Sequence, residues 1–268
     1  AKNKHGCLVV LKTFLFQKGD HRTRLEHEIL QHMRDLSWLM SPLGFNLVLP
    51  ILRLAEPPFL ANAIEILADR TLDLAEDFYG SRIIQQMITR SVDLAMLEEF
   101  QVMLKHISEA ALELALHERG SCVIQAILES VDLEVQQPIV DVLRMNIVHL
   151  AQENASSKVV KTCISVLASD ENDTLQLYEG SLFTRAILDF APELFRSEIG
   201  SDILLHLCST CVGEDRDVVR RSLRSIRERK TGVHDVHLEQ LLFKAVDGPR
   251  RKWCKSDDFQ SKLIKEWS

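Results

Sequence analysis

Glycine and proline are scarce in this chain of 268 residues, at 10 and 7, and aromatic residues make up only 6%. A sandwich or barrel of many short strands needs frequent turn residues and aromatic cross-strand pairs, so an all-β architecture is disfavoured. Long apolar runs are also missing. None reaches the ~18 residues that a membrane-crossing helix requires, and CLVVLKTFLF at 7–16 is broken by Lys12 and lacks the flanks of a signal peptide. No membrane partner is expected. There is no G-x-x-x-x-G-K-[ST] phosphate loop, no H-E-x-x-H and no G-x-S-x-G. The chain is therefore not expected to be an enzyme, and no cofactor or metal is expected. Nor is there an excess of positive charge: the net charge is −7. A protein that grips duplex nucleic acid mainly through phosphates is usually basic, so that mode is disfavoured for the whole chain.

What is present is helical material in quantity. The chain is 46% hydrophobic and 26% charged, enough to build a large core. Six cysteines, at 7, 122, 163, 208, 211 and 254, are dispersed through apolar helical context. That pattern reads as reduced intracellular thiols, not a disulfide framework. Charge is unevenly placed. Between Arg216 and Lys255 there are 12 basic and 5 acidic residues, leaving 20 basic against 34 acidic elsewhere. The chain starts at Ala1 without a methionine, and is expected to be a piece of something longer.

Self-similarity gives the organisation. Aligning KHGCLVVL, PLGFNLVL, FYGSRIIQ, ERGSCVIQ, NASSKVVK and EIGSDILL superposes Gly6, Gly44, Gly80, Gly120, Ser156 and Gly200, at steps of 38, 36, 40, 36 and 44 residues. Five of the ten glycines thus share one equivalent position. Upstream of it, LSWLMSPLG, LDLAEDFYG, LELALHERG, IVHLAQENAS and PELFRSEIG follow one pattern, apolar first and polar just before the Gly or Ser. Further upstream, stretches such as FLANAIEILADRTLDLAE carry apolar residues at helical spacing. The unit is read as helix, tight corner, helix. Glycine suits the corner because it tolerates positive φ and lets the helices approach closely. One unit cannot bury its own apolar face, so the units must stack into a solenoid. A seventh unit is expected over about 217–246, with HLEQLLFKAV near 234 as its second helix, and 247–268 as a C-terminal capping segment.

The second helices carry the chemistry. At about 100° per residue, with Ser81 at zero, Gln85 falls at about 40° and Arg82 at about 100°, opposite Ile83, Ile84, Met87 and Ile88. Ser121, Cys122 and Gln125 repeat the arrangement at the same offset from Gly120. Ordinary amphipathicity would also give a polar side. Its recurrence at one fixed offset, ending in a glutamine that both donates and accepts, points instead to the edge of a nucleobase.

These residues resemble a known family. LDLAEDFYGSRIIQQMI and LELALHERGSCVIQAIL are similar to repeats of the Pumilio (PUF) family, and NASSKVVKTCI to its Asn/Ser-bearing variant. The resemblance implies an all-α, right-handed curved α-solenoid of Pumilio-type repeats over 1–246 that binds single-stranded RNA on its concave face, one base per repeat. It implies that Ser81 and Gln85 read adenine with Arg82 stacking between bases, and that Ser121 and Gln125 do likewise with Cys122 in the stacking place. Ser157 and Lys161, with Lys158 between, form the third set. Lys161 stands where the family's guanine-reading form has glutamate, and would donate to a phosphate or a base acceptor. Cys7, Asn46 and Ser201 are weaker contacts, because Leu11, Leu49 and Leu205 occupy the fourth-step places in their units. A short A-containing motif of about two to four bases is expected. The roles implied are post-transcriptional regulation in the cytoplasm or, alternatively, looser binding in nucleolar ribosomal RNA processing. A helical scaffold for protein partners is the third reading.

Three further features bear on partners and packing. Arg220, Arg224 and Arg227 fall on one helical face as a phosphate or protein-partner patch, the convex side being the other partner surface. Cys208 and Cys211 with His234 and His237 have near-zinc spacing, but are expected to be packed thiols and surface histidines. Trp38 is expected in the core and Trp253 as an anchor of the capping segment. The repeat domain is expected to be monomeric.

Overall fold

A computed structural model describes residues 4–168, 174–211 and 213–228. Among them there is no strand, and the helices α1 to α17 follow one another in a repeating order of three. The first helices of the units are α2 (Asp20–Met33), α5 (Pro57–Leu67), α8 (Leu97–Glu109), α11 (Leu133–Met145), α14 (Thr174–Asp189) and α17 (Gly213–Glu228). The second helices are α1 (Lys4–Phe16), α4 (Pro42–Arg53), α7 (Phe78–Asp93), α10 (Gly120–Ser130), α13 (Asn154–Leu167) and α16 (Glu198–Thr210). Between each first and second helix lies a short one: α3 (Leu36–Leu39), α6 (Thr71–Glu76), α9 (Ala111–Leu116), α12 (Ile147–Leu150) or α15 (Ala191–Leu194).

The unit is therefore three helices, not two with a bare corner. The L-x-L-A type stretches form one or two turns of their own, and their leucines and alanines point inward: Leu74, Ala75, Leu114 and Ala115 are fully buried. A segment of 4–6 residues spans too few turns to show a helical period in sequence.

The second helix opens at a fixed place. Three residues before Gly44, Gly80, Gly120 and Gly200 stands a polar cap. The Ser41 hydroxyl accepts from the amide of Gly44 at 3.2 Å, Asp77 accepts from Tyr79 and Gly80 at 2.8 Å each, and Ser197 accepts from Gly200 at 3.0 Å. In the unit of Gly120 the cap is His117, whose Nδ1 accepts from Arg119 at 3.3 Å and Gly120 at 3.2 Å. Two backbone donors on one ring nitrogen require that nitrogen to be unprotonated. These side chains satisfy amides that the first turn leaves without partners.

The units then stack. The second helices pack in succession, α1 on α4, α4 on α7, α7 on α10, α10 on α13 and α13 on α16. The first helices form a parallel row through α2, α5 and α8, and again through α11, α14 and α17; α11 rests on the short α9. One continuous core runs between the rows, with Ile83, Ile84, Met87, Ile88, Val123, Ile124, Ile127 and Val159 wholly excluded from solvent. The result is a curved α-solenoid. The seventh unit's second helix near 234 and the capping segment 247–268 lie outside the described residues. No helix among the described residues is long and apolar enough to cross a membrane.

Candidate RNA interface

Because the cap and the corner glycine fix where each second helix begins, equivalent positions fall on one face in every unit. In α7, α10, α13 and α16 the first residue after the corner (Ser81, Ser121, Ser157, Ser201) is buried. The next (Arg82, Cys122, Lys158, Asp202) is exposed, and the fourth along from the first (Gln85, Gln125, Lys161, Leu205) is half-buried. Successive packing of these helices joins the positions into one stripe.

The serines do not stand free. Ser81 and Ser121 are 2% exposed and Ser157 is 4% exposed. Each hydroxyl turns back on its own helix: Ser81 donates to the Phe78 carbonyl at 3.4 Å, Ser121 to Glu118 at 3.0 Å and Ser157 to Asn154 at 3.0 Å. Their place on the wheel, beside Ile88, is the seam against the neighbouring helix, where a small side chain is shadowed. The serines thus form a low, self-satisfied floor. Above it stand Gln85 and Gln125. Gln85 has no side-chain hydrogen-bond partner among the described residues, and Gln125 Nε2 donates at 3.0 Å to the Ser121 carbonyl on its own helix.

The third set is closed. Lys161 Nζ lies 2.6 Å from Asp202 Oδ2 across the seam between α13 and α16. His206 Nε2 sits beneath, 3.1 Å from the Lys161 carbonyl oxygen and 2.8 Å from Ser165 Oγ. Burial, then the Lys161 charge, lowers the His206 pKa from its ordinary value. Lys158 alone of this set is exposed and without an ion pair among the described residues.

The remaining positions are weaker still. Cys7 is buried with its thiol toward the Leu43 carbonyl at 3.6 Å. Ser201 is 3% exposed, whereas Asn46 is exposed. The expected patch on α17 is not an outward face at its start. Arg220 is half-buried, and its Nε and that of Arg216 are shielded from solvent with no hydrogen-bond partner among the described residues. The side chains of Arg224 and Arg227 lie outside the described residues. Cys208 and Cys211 are buried, His234 and His237 lie outside the described residues, and no group of metal-ligating side chains occurs among the described ones. Trp38 is half-buried against the core; Trp253 lies outside the described residues.

Sequence reasoning missed an aromatic on this face. Phe78 opens α7 and is 40% exposed. The guanidinium of Arg82 lies 5.0 Å from its ring centroid and that of Arg119, from the next unit, 4.7 Å. Tyr79 packs edge-on to Phe78 at 4.9 Å and tilts over Phe45 at 5.0 Å. The signal was available: three residues ahead of Ser81, Phe78 falls at about 60° on the wheel, between Gln85 and Arg82.

The pattern of the Pumilio-family RNA binding repeat matches residues 1–30, 70–93 and 111–144. No curated protein sequence matches the chain. Among solved structures, the RNA-binding domain of yeast Puf5p bound to SMX2 RNA superposes with a TM-score of 0.68 at 16% identity, covering 85% of this chain and 61% of that one. The Puf3 RNA binding domain bound to a Cox17 RNA 3′ UTR recognition sequence gives 0.69 at 15% identity, covering 98% and 77%. PUF-8 in complex with PBE-RNA gives 0.70 at 17%, covering 89% and 67%. The chain thus spans about three fifths of the Puf5p domain's length. At these identities the likeness establishes the fold, and the repeat matches fall on the units of Gly6, Gly80 and Gly120 that the glycine register picks out. The chain thus carries Pumilio-type repeat matches in three stretches on the solenoid fold of solved Pumilio RNA-binding domains.

Proposed function

We propose that the chain binds single-stranded RNA along the stripe of its second helices and reads a short adenine-containing motif. One observation carries this: Gln85 and Gln125 occupy the same offset on α7 and α10, which pack directly on each other, with the exposed Arg82 and Cys122 beside them. An amide that donates and accepts matches the adenine edge, and adjacent helices about 10 Å apart present two such amides to neighbouring nucleotides. The RNA complexes of the structural relatives support the same mode for this chain. The role that follows is non-catalytic: post-transcriptional control of a bound RNA in the cytoplasm, with protein partners on the convex side.

The closed pair Lys161–Asp202 and the leucines at 11, 49 and 205 favour a second reading, in which base preference is loose and the setting is nucleolar ribosomal RNA processing. Selection from a randomised RNA pool at two salt concentrations separates them. Enrichment of adjacent adenines, with affinity falling about tenfold in Gln85→Ala or Gln125→Ala as one or two hydrogen bonds are lost, supports motif reading. Salt-sensitive binding with no enriched motif supports the second. Absence of RNA binding sinks both and leaves a protein scaffold.

A further inference from the structure

We propose that Phe78, Arg82 and Arg119 form a clamp for one backbone phosphate of the RNA, at the seam between α7 and α10. The inference rests on the RNA-binding reading and adds to it a contact that base reading does not supply.

Two cations share one ring. Each guanidinium carbon lies within 5.0 Å of the Phe78 centroid, so the two charges are at most about 10 Å apart, a distance at which like charges still repel. The ring quadrupole offsets part of that repulsion and fixes both arginines. Anionic compensation from the protein is slight. Arg82 has no carboxylate partner among the described residues. Arg119 has only its chain neighbour Glu118 at 3.2 Å, on a carboxylate side chain 77% exposed. Asp77, the nearest acid in sequence to Phe78, is engaged with the amides of Tyr79 and Gly80. The seam is thus a preorganised pair of planar donors with one exposed carboxylate, Glu118, beside it.

The geometry also decides what the anion is. Both guanidinium carbons lie over the Phe78 ring, and the N–H fork of a guanidinium suits a phosphodiester. A nucleobase would have to displace an arginine to reach the ring. Phe78 lies in the same sector of α7 as Gln85 and Arg82, about one turn before Arg82 and two before Gln85. A strand whose bases face Gln85 and Gln125 therefore passes its backbone over this point. The two arginines come from neighbouring units, so the clamp also fixes the register of the strand between them.

The experiment measures binding of fluorescent decamers of adenosine and of uridine to the full chain from 50 to 200 mM salt. Wild type is compared with Arg119→Gln, Arg82→Gln/Arg119→Gln, Phe78→Ala and Phe78→Tyr, each checked by thermal melting. One phosphate contact on a single strand contributes about 0.7 to the slope of log affinity against log salt. Arg119→Gln should lower the slope by about that amount, so that about 2.6-fold less affinity is lost over the fourfold rise in salt. Its preference for adenosine over uridine should be unchanged. Phe78→Ala should lower the slope in the same direction, and Phe78→Tyr, which keeps the ring, should not. Wild-type slopes in Arg119→Gln and in the double variant overturn the clamp and leave the RNA reading intact. No binding of either decamer by wild type overturns both. Loss of binding in Arg119→Gln that is confined to a polyglutamate peptide overturns the clamp in favour of an acidic protein partner.

Discussion

A single carbonyl group explains the most conspicuous residue of the repeat. A Cβ built on Gly80 would lie 2.5 Å from the Leu74 carbonyl oxygen; on Gly44, Gly120 and Gly200 it would meet the carbonyls of Trp38, Leu114 and Leu194 at 2.1, 2.7 and 2.4 Å. In every case the obstacle is the backbone of the short helix, six residues earlier. Conformational freedom is not the reason, because positive φ among the described residues occurs only at Gly19 and Ala95. Where serine replaces glycine, the same carbonyl becomes a hydrogen-bond acceptor: Ser156 Oγ donates to Leu150 at 2.6 Å. Gly80→Ala should therefore destabilise the chain by about 1–3 kcal/mol through overpacking against immovable backbone, and Ser156→Ala by about 1 kcal/mol through the lost bond. Urea denaturation measures both, and a neutral Gly80→Ala would remove the close-approach argument. The position of these residues was legible in sequence because it recurs at nearly constant spacing. The reason for them was not, since a glycine required by φ and one required by proximity look the same in a string of letters. The burial of Ser81 and Ser121 was hidden for a related cause: a wheel gives direction, whereas solvent access depends on how near the next helix lies.

Between elements, one register recurs along the second-helix row. Counting from each corner residue, Lys161 at the fifth place meets Asp202 at the second place of the next unit. Arg53 at the ninth meets Gln86 at the sixth, at 3.0 Å, and Ser165 at the ninth meets His206 at the sixth. A side chain thus faces the position three places earlier in the following helix. By the same register Gln85 is set beside Cys122 and Gln125 beside Lys158, which makes the stripe a zigzag across two seams. Lys161 looked like an RNA contact in the sequence because its partner lies 41 residues away; only the stacking register brings the two together. The seam of α13 and α16 also carries a pH dependence. Burial and the Lys161 charge lower the pKa of His206, so the unfolded chain takes up the proton more readily than the folded one. The stabilisation is complete above the ordinary histidine value of 6.5 and is lost as the pH falls toward the lowered folded value. His206→Gln should flatten the dependence of urea midpoint on pH between about 7 and 5; an unchanged slope would show that other groups set it.

At the scale of the molecule, stability should be distributed as in a one-dimensional array, where each unit is held by its neighbours alone. The second helices in the middle are flanked on both sides, and α7, α10 and α13, Phe78 and Cys122 apart, bury most of their apolar residues. Helix α1 has one second-helix neighbour among the described residues, α4, and exposes Leu8, Val9, Leu15 and Phe16 to 49, 64, 45 and 80%. Six second helices occur among the described residues, at the spacing of the glycines and Ser156. The gradient was not legible in that spacing, because α1 is as apolar in sequence as α4 and differs only in what it packs against. Amide hydrogen exchange tests the consequence. In a polypeptide of these 268 residues, protection should peak in α7, α10 and α13 and be lower in α1, since opening α1 breaks one described second-helix interface and opening a central helix breaks two. The stripe with Gln85 and Gln125 then sits on the most rigid part of the array, where fixed spacing between readers matters most. Uniform protection from α1 to α16 would mean that the solenoid opens as a single cooperative body and that its centre has no mechanical advantage as a reading surface.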